Sequence, residues 1–296
     1  MRGGGVAGRF GCRRVAFPIT VWVSDDGSMS IPLASGEGSV RYGHDAFDPG
    51  LLAASKGLRR ISVCIPARNE ATTVGQIVRT IVVALTGLHG GVPLVDEVLV
   101  IDDGSMDQTA AVAAQAGARV LSADTPGGGK GQAMRSALKA AEGDLVAFVD
   151  ADVTNFGAHF VSGLLGPLLT DDALCLVKGY YQRPLHGVPD GGGRVTELMA
   201  KPVIDVLFPH LASIEQPLAG ETAAPREVLE KCGLADGYAV ELALLIDVAA
   251  RFGVSTVAQV DLGIRIHRNR PLSELRPQAT NILRAALERA PLVTSD

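Results

Sequence analysis

The chain has 296 residues, of which 47% are hydrophobic, 20% charged and only 4% aromatic, and its formal net charge is −5. That length is ample for a buried core, while the acidic balance and the scarcity of rings exclude a basic nucleic-acid binder and a base-stacking platform. No run of about 18 uninterrupted apolar residues marks a membrane-spanning helix, which leaves an Ala/Val/Gly-rich α/β protein whose 35 glycines need a reason.

Residues 1–40 are Gly/Ser-rich without sustained periodicity and read as a loosely ordered leader. Arg2, Arg9, Arg13 and Arg14 precede an apolar stretch, Val15 to Val23, in the order of a secretory signal. Pro18 interrupts that stretch and no A-x-A site follows, so an extension upstream of a start near Met29 is the plainer expectation. Cys12, Cys64, Cys175 and Cys232 form no C-x-x-C pair. They predict free thiols in a reducing, cytoplasmic setting, with Cys64 buried in an apolar run.

A short helix is expected over 48–55, opened by Asp48-Pro49. A buried strand follows over 60–65. A helix is expected over 70–85, with Val74, Ile77, Val78, Ile81 and Val82 at helical spacing. Then come a strand over 97–101, an Ala-rich helix over 107–116, a strand over 118–122, a helix over 131–141 and a strand over 144–149. Strands alternating with helices imply an α/β fold, a Rossmann-like, mostly parallel sheet covered on both faces. Beyond residue 150 the pattern loosens. A strand over 175–181, a helical segment opening at Val195, a strong helix over 240–252, a strand over 256–266 and a terminal helix over 277–292 can still be read.

Chemistry in such a sheet lies at the carboxyl ends of the strands, and polar clusters stand there. Asp150-Ala151-Asp152 places two carboxylates at the end of an apolar strand, where they can share a divalent cation, Mg²⁺ or Mn²⁺, with a diphosphate. Two solvated turn acids are the alternative. Asp102-Asp103-Gly104-Ser105 is either a turn or a carboxylate that accepts a base N–H or a ribose hydroxyl. The Gly127 to Gly131 loop lacks both the P-loop and the G-x-G-x-x-G spacing. With Lys130 it still offers backbone N–H groups and a cation to phosphate. His267 stands among Arg265, Arg268, Asn269 and Arg270, a concentration of cations that suits an anionic substrate. Gly191 to Arg194, with Thr196 behind it, is a second glycine turn bearing an arginine. Glu241 either points into the cleft or sits on the polar edge of its helix.

Taken together, Ile65-Pro66-Ala67-x-Asn69-Glu70, Ile101-Asp102-Asp103-Gly104-Ser105-x-Asp107-x-Thr109 and Val149-Asp150-x-Asp152 resemble the family-2-like glycosyltransferases of the GT-A fold. Pro126 to Gly131, Val177 to Pro184, Gly191 to Leu198, Gln216 to Glu221, Gly237 to Glu241 and His267 to Pro271 resemble, more narrowly, the glucosyl-3-phosphoglycerate synthases. The likeness runs from about residue 48 to the late 270s. It implies glucose transfer from UDP-glucose to 3-phosphoglycerate with Mg²⁺ (or Mn²⁺), retention of anomeric configuration, and a homodimer. By motif, Pro66, Ala67, Glu70, Asp103 and Lys130 would contact the uridine diphosphate, and Asp150, Tyr238, Glu241 and Arg265 would complete the donor site. Asp152 and His267 would bind the metal, and Asp150, Asp152, Glu241 and His267 would form the catalytic group. Gly193, Arg194, Thr196 and Asn269 would hold the acceptor. Arg68 stands where the family has an apolar residue, and Asp103 where it often has Ser.

After the leader over 1–40, the expected division is a GT-A catalytic domain over 41–272 and a C-terminal helix and tail over 273–296. Within the catalytic domain, a nucleotide-binding half covers about 58–152 and an acceptor-binding half about 153–272. The nearest competing reading is a mannosyl-3-phosphoglycerate synthase using GDP-mannose. Polyprenyl-phosphate glycosyl transfer, nucleotidyl transfer onto a sugar phosphate and a non-catalytic sugar-nucleotide-binding protein stand further off. No nucleic-acid or membrane partner is expected.

Overall fold

A computed structural model describes residues 39–87, 92–184, 192–267 and 272–290. Cys12, the leader as far as residue 38 and Asn269 lie outside the described residues.

Strands and helices alternate in the first half. β1 (Val40–Gly43) leads to α1 (Pro49–Ser55), whose N-cap Asp48 accepts the Leu51 N–H at 2.9 Å. Next come β2 (Ile61–Ala67), α2 (Val74–Leu85), β3 (Glu97–Asp102), α3 (Thr109–Gln115), β4 (Arg119–Ser122), α4 (Lys130–Ala140) and β5 (Leu145–Phe148). The second half holds α5 (His159–Thr170), β6 (Leu176–Gln182), a π-helical turn (Thr196–Ala200), α6 (Lys201–Leu207), β7 (Thr222–Pro225) and α7 (Arg226–Cys232). It closes with α8 (Val240–Phe252), β8 (Val257–Ile264) and α9 (Leu272–Arg289).

Among the described residues the strands form one eight-stranded sheet in the order β1-β8-β6-β7-β5-β2-β3-β4. β2 pairs in parallel with β3 and with β5, whereas β7 runs antiparallel between β5 and β6. The inner strands β2, β3 and β5 are buried on both faces, so they are apolar at nearly every position. Val63, Ile65, Val100, Ala147 and Val149 pack on one face with α2 and α5. The alternate residues Cys64, Leu99, Ile101, Val146 and Phe148 pack on the other with α4, α7 and α8.

The chain leaves β2 toward β3 and β4 on one side, while β5 continues to the other. This switch point opens a crevice beyond the carboxyl ends of β2 and β5, where ligands bind in open α/β sheets.

The first difference from the expected elements is β1, which begins at Val40 inside the segment expected as leader and pairs with β8; the others fall after residue 150. α5, β7 and α7 are present where the sequence carried no clear period. α9 begins at Leu272 and continues through Pro277.

Candidate active site

One end of the crevice is built from two loops stitched together. After β2 the backbone turns at Asn69, which adopts a left-handed φ of 57°. Its N–H donates to Ser105 Oγ at 2.9 Å, and its Oδ1 accepts the Met106 N–H at 2.8 Å. The Glu70 N–H donates to Thr109 Oγ1 at 2.8 Å and the Ala71 N–H to Asp107 Oδ2 at 3.2 Å. Asn69, Ser105, Asp107 and Thr109 thus hold the loops that carry Pro66, Ala67, Glu70 and Asp103. The Asp107 carboxyl is held below the usual range, first by the Thr109 hydroxyl bond.

Asp103 clasps the glycine loop. Its Oδ2 accepts the Gly129 N–H at 3.0 Å and its carbonyl accepts the Gly127 N–H at 3.1 Å. Its Oδ1 is buried with no hydrogen-bond partner among the described residues. A buried carboxylate oxygen without a donor is costly, and a base N–H or ribose hydroxyl would meet it. Gly127 (φ 78°) and Gly129 (φ 86°) turn the loop through conformations that side chains disfavour. A Cβ at Gly131 would strike the Ala235 carbonyl, so the loop passes this point only as glycine. It delivers Lys130 as the first residue of α4.

Lys130 Nζ lies 2.5 Å from Asp150 Oδ1 and 2.6 Å from Glu241 Oε1, which settles the Glu241 side chain inward. Arg265 Nη2 lies 2.7 Å from Asp150 Oδ2 and 2.9 Å from Asp152 Oδ1, and its Nε lies 3.2 Å from Glu221 Oε1. Glu221 Oε2 accepts the Tyr181 hydroxyl at 2.7 Å. Two cations therefore bridge four carboxylates in a buried lattice. Burial alone would raise Asp150, but Lys130 and Arg265 hold its carboxyl far below the usual range. Burial alone would lower Lys130, but Asp150 and Glu241 together raise it. Both groups are ionised at neutral pH.

His267 reaches this lattice through an isolated antiparallel bridge to Val153, reinforced by the Thr154 N–H donating to the Ile266 carbonyl at 2.9 Å. The bridge holds His267 against the segment that follows Asp152, and both residues line one cavity. Burial, then the charges of Arg265 and Arg183, push the imidazole down to about 4. At neutral pH it is uncharged, the form that donates a lone pair to a metal. Among the described residues no three His, Cys, Asp or Glu side chains gather as a metal cage. Asp152 and His267 would offer a carboxylate oxygen and a neutral imidazole nitrogen to a divalent cation shared with a substrate's phosphates.

A cavity of about 500 Å³ joins these groups, and every expected site residue among the described residues lines it. Gly193 (φ 73°), Arg194 and buried Thr196 line it from the second glycine turn. Leu275, Gln278, Asn281 and Ile282 of α9 also line it.

Sequence reasoning did not assign the support behind the lattice. Lys178 is fully buried in β6, where its Nζ donates to the Ala219 carbonyl at 2.8 Å and to Thr222 Oγ1 at 3.2 Å. Burial pushes its ammonium down to about 8. This clamp seats Gly220 so closely that a Cβ there would collide with the Asp150 carboxylate and the Lys130 ammonium. A lysine inside an apolar strand and the Gln216 to Glu221 motif were the available signals.

A switch-point D-x-D, a phosphate-type glycine loop and a metal-competent histidine in one crevice define a glycosyltransferase of the GT-A fold that uses a nucleotide sugar. The family model described as glycosyl transferase family 2 matches residues 62–199. A glucosyl-3-phosphoglycerate synthase of Mycolicibacterium smegmatis is 46% identical over 248 residues, spanning 80% of each chain. The crystal structure of the Mycobacterium tuberculosis synthase in complex with Mg²⁺ and uridine diphosphate aligns with a TM-score of 0.78 at 40% identity, covering 87% of this chain and 88% of that one. The complex of the same synthase with Mn²⁺, UDP-glucose and phosphoglyceric acid aligns with a TM-score of 0.75 at 41% identity, over 83% and 86% of the two chains. The chain belongs to the glucosyl-3-phosphoglycerate synthases of glycosyltransferase family 2.

Proposed function

We infer that this chain transfers glucose from UDP-glucose to 3-phosphoglycerate, giving glucosyl-3-phosphoglycerate and UDP. The observation that carries the reading is the single cavity running from the glycine loop and Lys130, across Asp150, Glu241 and Arg265, to Arg194. Both substrates are anionic, and the cavity offers cations at each end.

The donor's diphosphate would lie on the glycine-loop N–H groups, Lys130 and a divalent cation held by Asp152 and His267. Its base would meet Pro66, Ala67, Glu70 and Asp103. When bound, the cation stabilises the charge that develops on the departing diphosphate. Tyr238 and Glu241 would face the sugar. Gly193, Arg194, Thr196 and Asn269 would hold the acceptor. The bond from the anomeric carbon to the diphosphate oxygen breaks as the acceptor hydroxyl oxygen bonds to that carbon. The hydroxyl proton passes to a departing phosphate oxygen.

Same-face attack within an ion pair accounts for retention on this reading. Its support is that both Asp150 oxygens and one Glu241 oxygen are held by Lys130 and Arg265. Such carboxylates are poor nucleophiles, so a covalent glycosyl-enzyme of the hydrolase type is disfavoured.

The division proposed for the chain is a nucleotide-binding half over about 58–152, an acceptor-binding half over about 153–272, and a final helix and tail. A homodimer is also proposed. Its support is the set of exposed apolar side chains Leu198, Val206, Leu283 and Leu287 on the π-turn, α6 and α9. A monomer by light scattering would reject it. A cytoplasmic setting fits the free thiols of Cys64 and Cys232. No helix among the described residues is long and apolar enough to cross a membrane.

The test is an assay of UDP-glucose, GDP-mannose and ADP-glucose against 3-phosphoglycerate and glycerate, with and without Mg²⁺. UDP-glucose with 3-phosphoglycerate and Mg²⁺ is expected to give the fastest turnover. Faster transfer from GDP-mannose would replace the donor, and no product from any pair would overturn the reading.

A further inference from the structure

Arg183 lies at the end of β6 and lines both the main cavity and a neighbouring one of about 520 Å³, which also share Gly193 and Thr196. Its guanidinium sits 4.9 Å from the centroid of the Tyr181 ring, and Arg265 sits 5.3 Å from the same centroid. Two like charges thus share one ring. Arg265 is compensated by Asp150, Asp152 and Glu221. Arg183 makes no ion pair with a carboxylate among the described residues. Its Nη2 donates to the Tyr181 hydroxyl at 2.9 Å, and its Nε is buried with no hydrogen-bond partner among the described residues. Its Nη1 lies against Gly193, close enough to touch a Cβ placed there. The Gly192 N–H donates to the Arg183 carbonyl at 2.9 Å, which ties the arginine to the second glycine turn.

A partly buried guanidinium beside another cation, with an unsatisfied N–H, is costly unless an anion completes it. The acceptor supplies two anions. Its carboxylate is on the carbon that bears the reacting hydroxyl, and its phosphate is one carbon further away. Arg183 is the arginine separated by a single ring from the Arg265–Asp150 pair, at the reacting end of the cavity. We propose that Arg183 binds the carboxylate of the acceptor, a binding role beyond those of Gly193, Arg194, Thr196 and Asn269. The inference rests on the acceptor being 3-phosphoglycerate. A planar fork on a carboxylate supplies direction as well as charge, so Arg183 would also orient the hydroxyl toward the anomeric carbon.

The test compares the wild type with Arg183→Gln and Arg183→Lys. The readouts are the KM for 3-phosphoglycerate, the inhibition constants of D-glycerate and glycerol 3-phosphate, and the affinity for UDP with Mg²⁺. Glycerate keeps the carboxylate without the phosphate, and glycerol 3-phosphate does the reverse. Arg183→Gln is expected to raise the KM by about 10-fold or more, the loss of a charge-assisted contact. It should weaken glycerate in parallel, and leave glycerol 3-phosphate and UDP unchanged. Arg183→Lys should recover part of the loss.

Selective weakening of glycerol 3-phosphate would move Arg183 to the phosphate and overturn the carboxylate assignment. An unchanged KM, or equal losses for all ligands including UDP, would overturn the role altogether. A wild type inactive with 3-phosphoglycerate would instead overturn the proposed function, so the two failures are distinguishable.

Discussion

The two ends of the cavity are held by different forces. At the nucleotide end the ties are backbone N–H groups to Asn69, Ser105, Asp107, Thr109 and Asp103, over glycines with left-handed φ. At the reacting end, Lys130, Asp150, Asp152, Glu221, Glu241 and Arg265 form a charge lattice backed by buried Lys178. Hydrogen bonds of the first kind each contribute modestly and fail one at a time. A buried lattice fails together, because removing one partner leaves another charge uncompensated. The nucleotide end should therefore tolerate graded damage, and the reacting end should not.

The severest test of that contrast is Glu221→Gln. Glu221 is fully buried and serves both Arg265 and Tyr181. Loss of its charge should cost about 3–5 kcal/mol of stability, measured by denaturant unfolding. A cost near that of an exposed ion pair would mean the lattice is not cooperative. Next in size, Asp152→Ala should lower kcat by roughly 10²-fold or more and remove the Mg²⁺ dependence of UDP binding. Wild-type rates would reject its place at the metal.

Gly220→Ala separates geometry from stability. The atoms that its Cβ would strike are side-chain ends, the Asp150 carboxylate and the Lys130 ammonium, which can shift together without leaving either charge unpaired. The displaced pair should still reduce kcat by about 10-fold with little change in Tm. A large Tm loss at full activity would invert this assignment.

Lys178 carries a pH signature. Its value of about 8 lies below the ordinary lysine value of 10.5. Below about pH 8 both folded and unfolded chains hold the proton, and the contribution is flat. Between about 8 and 10.5 the unfolded chain binds the proton that the folded chain has released, so stability from this group rises with pH. The slope is at most about 1.4 kcal/mol per pH unit. Lys178→Met should lack this rise when its stability is compared with wild type across that window. Parallel curves would show that Lys178 titrates as an exposed lysine does.

The same contrast explains what the sequence made legible. β2, β3 and β5 are apolar runs ending in acids and glycines, so strand and site residue lie within a few positions of each other. The D-x-D, the Lys130 loop and the Gly193-Arg194 turn could be read directly. The lattice could not: Arg265 and Asp150 are 115 positions apart, and β7, which sets Glu221, is a four-residue strand of Thr, Ala and Pro. α5 escaped for a related reason. Residues Phe160 to Leu169 are all buried, so no polar face marks a helical period. Its glycines serve packing instead; a Cβ at Gly166 would enter the Phe47 ring.

The smallest effect is the one that most sharpens the comparison. Asn69 pays little for its left-handed φ, and its side chain ties Met106. Asn69→Ala loses both the tolerated conformation and the tie, and should cost about 1–2 kcal/mol. Asn69→Gly keeps the conformation and loses only the tie, so it should cost less. On the proposed placement the two loops carry donor contacts alone, so both variants should raise the KM for UDP-glucose a few-fold. They should leave kcat and the KM for 3-phosphoglycerate near wild type. If Asn69→Gly instead lowered kcat as much as Gly220→Ala does, strain would pass from one end of the cavity to the other. The backbone-tied and charge-tied regions would then be one mechanical unit.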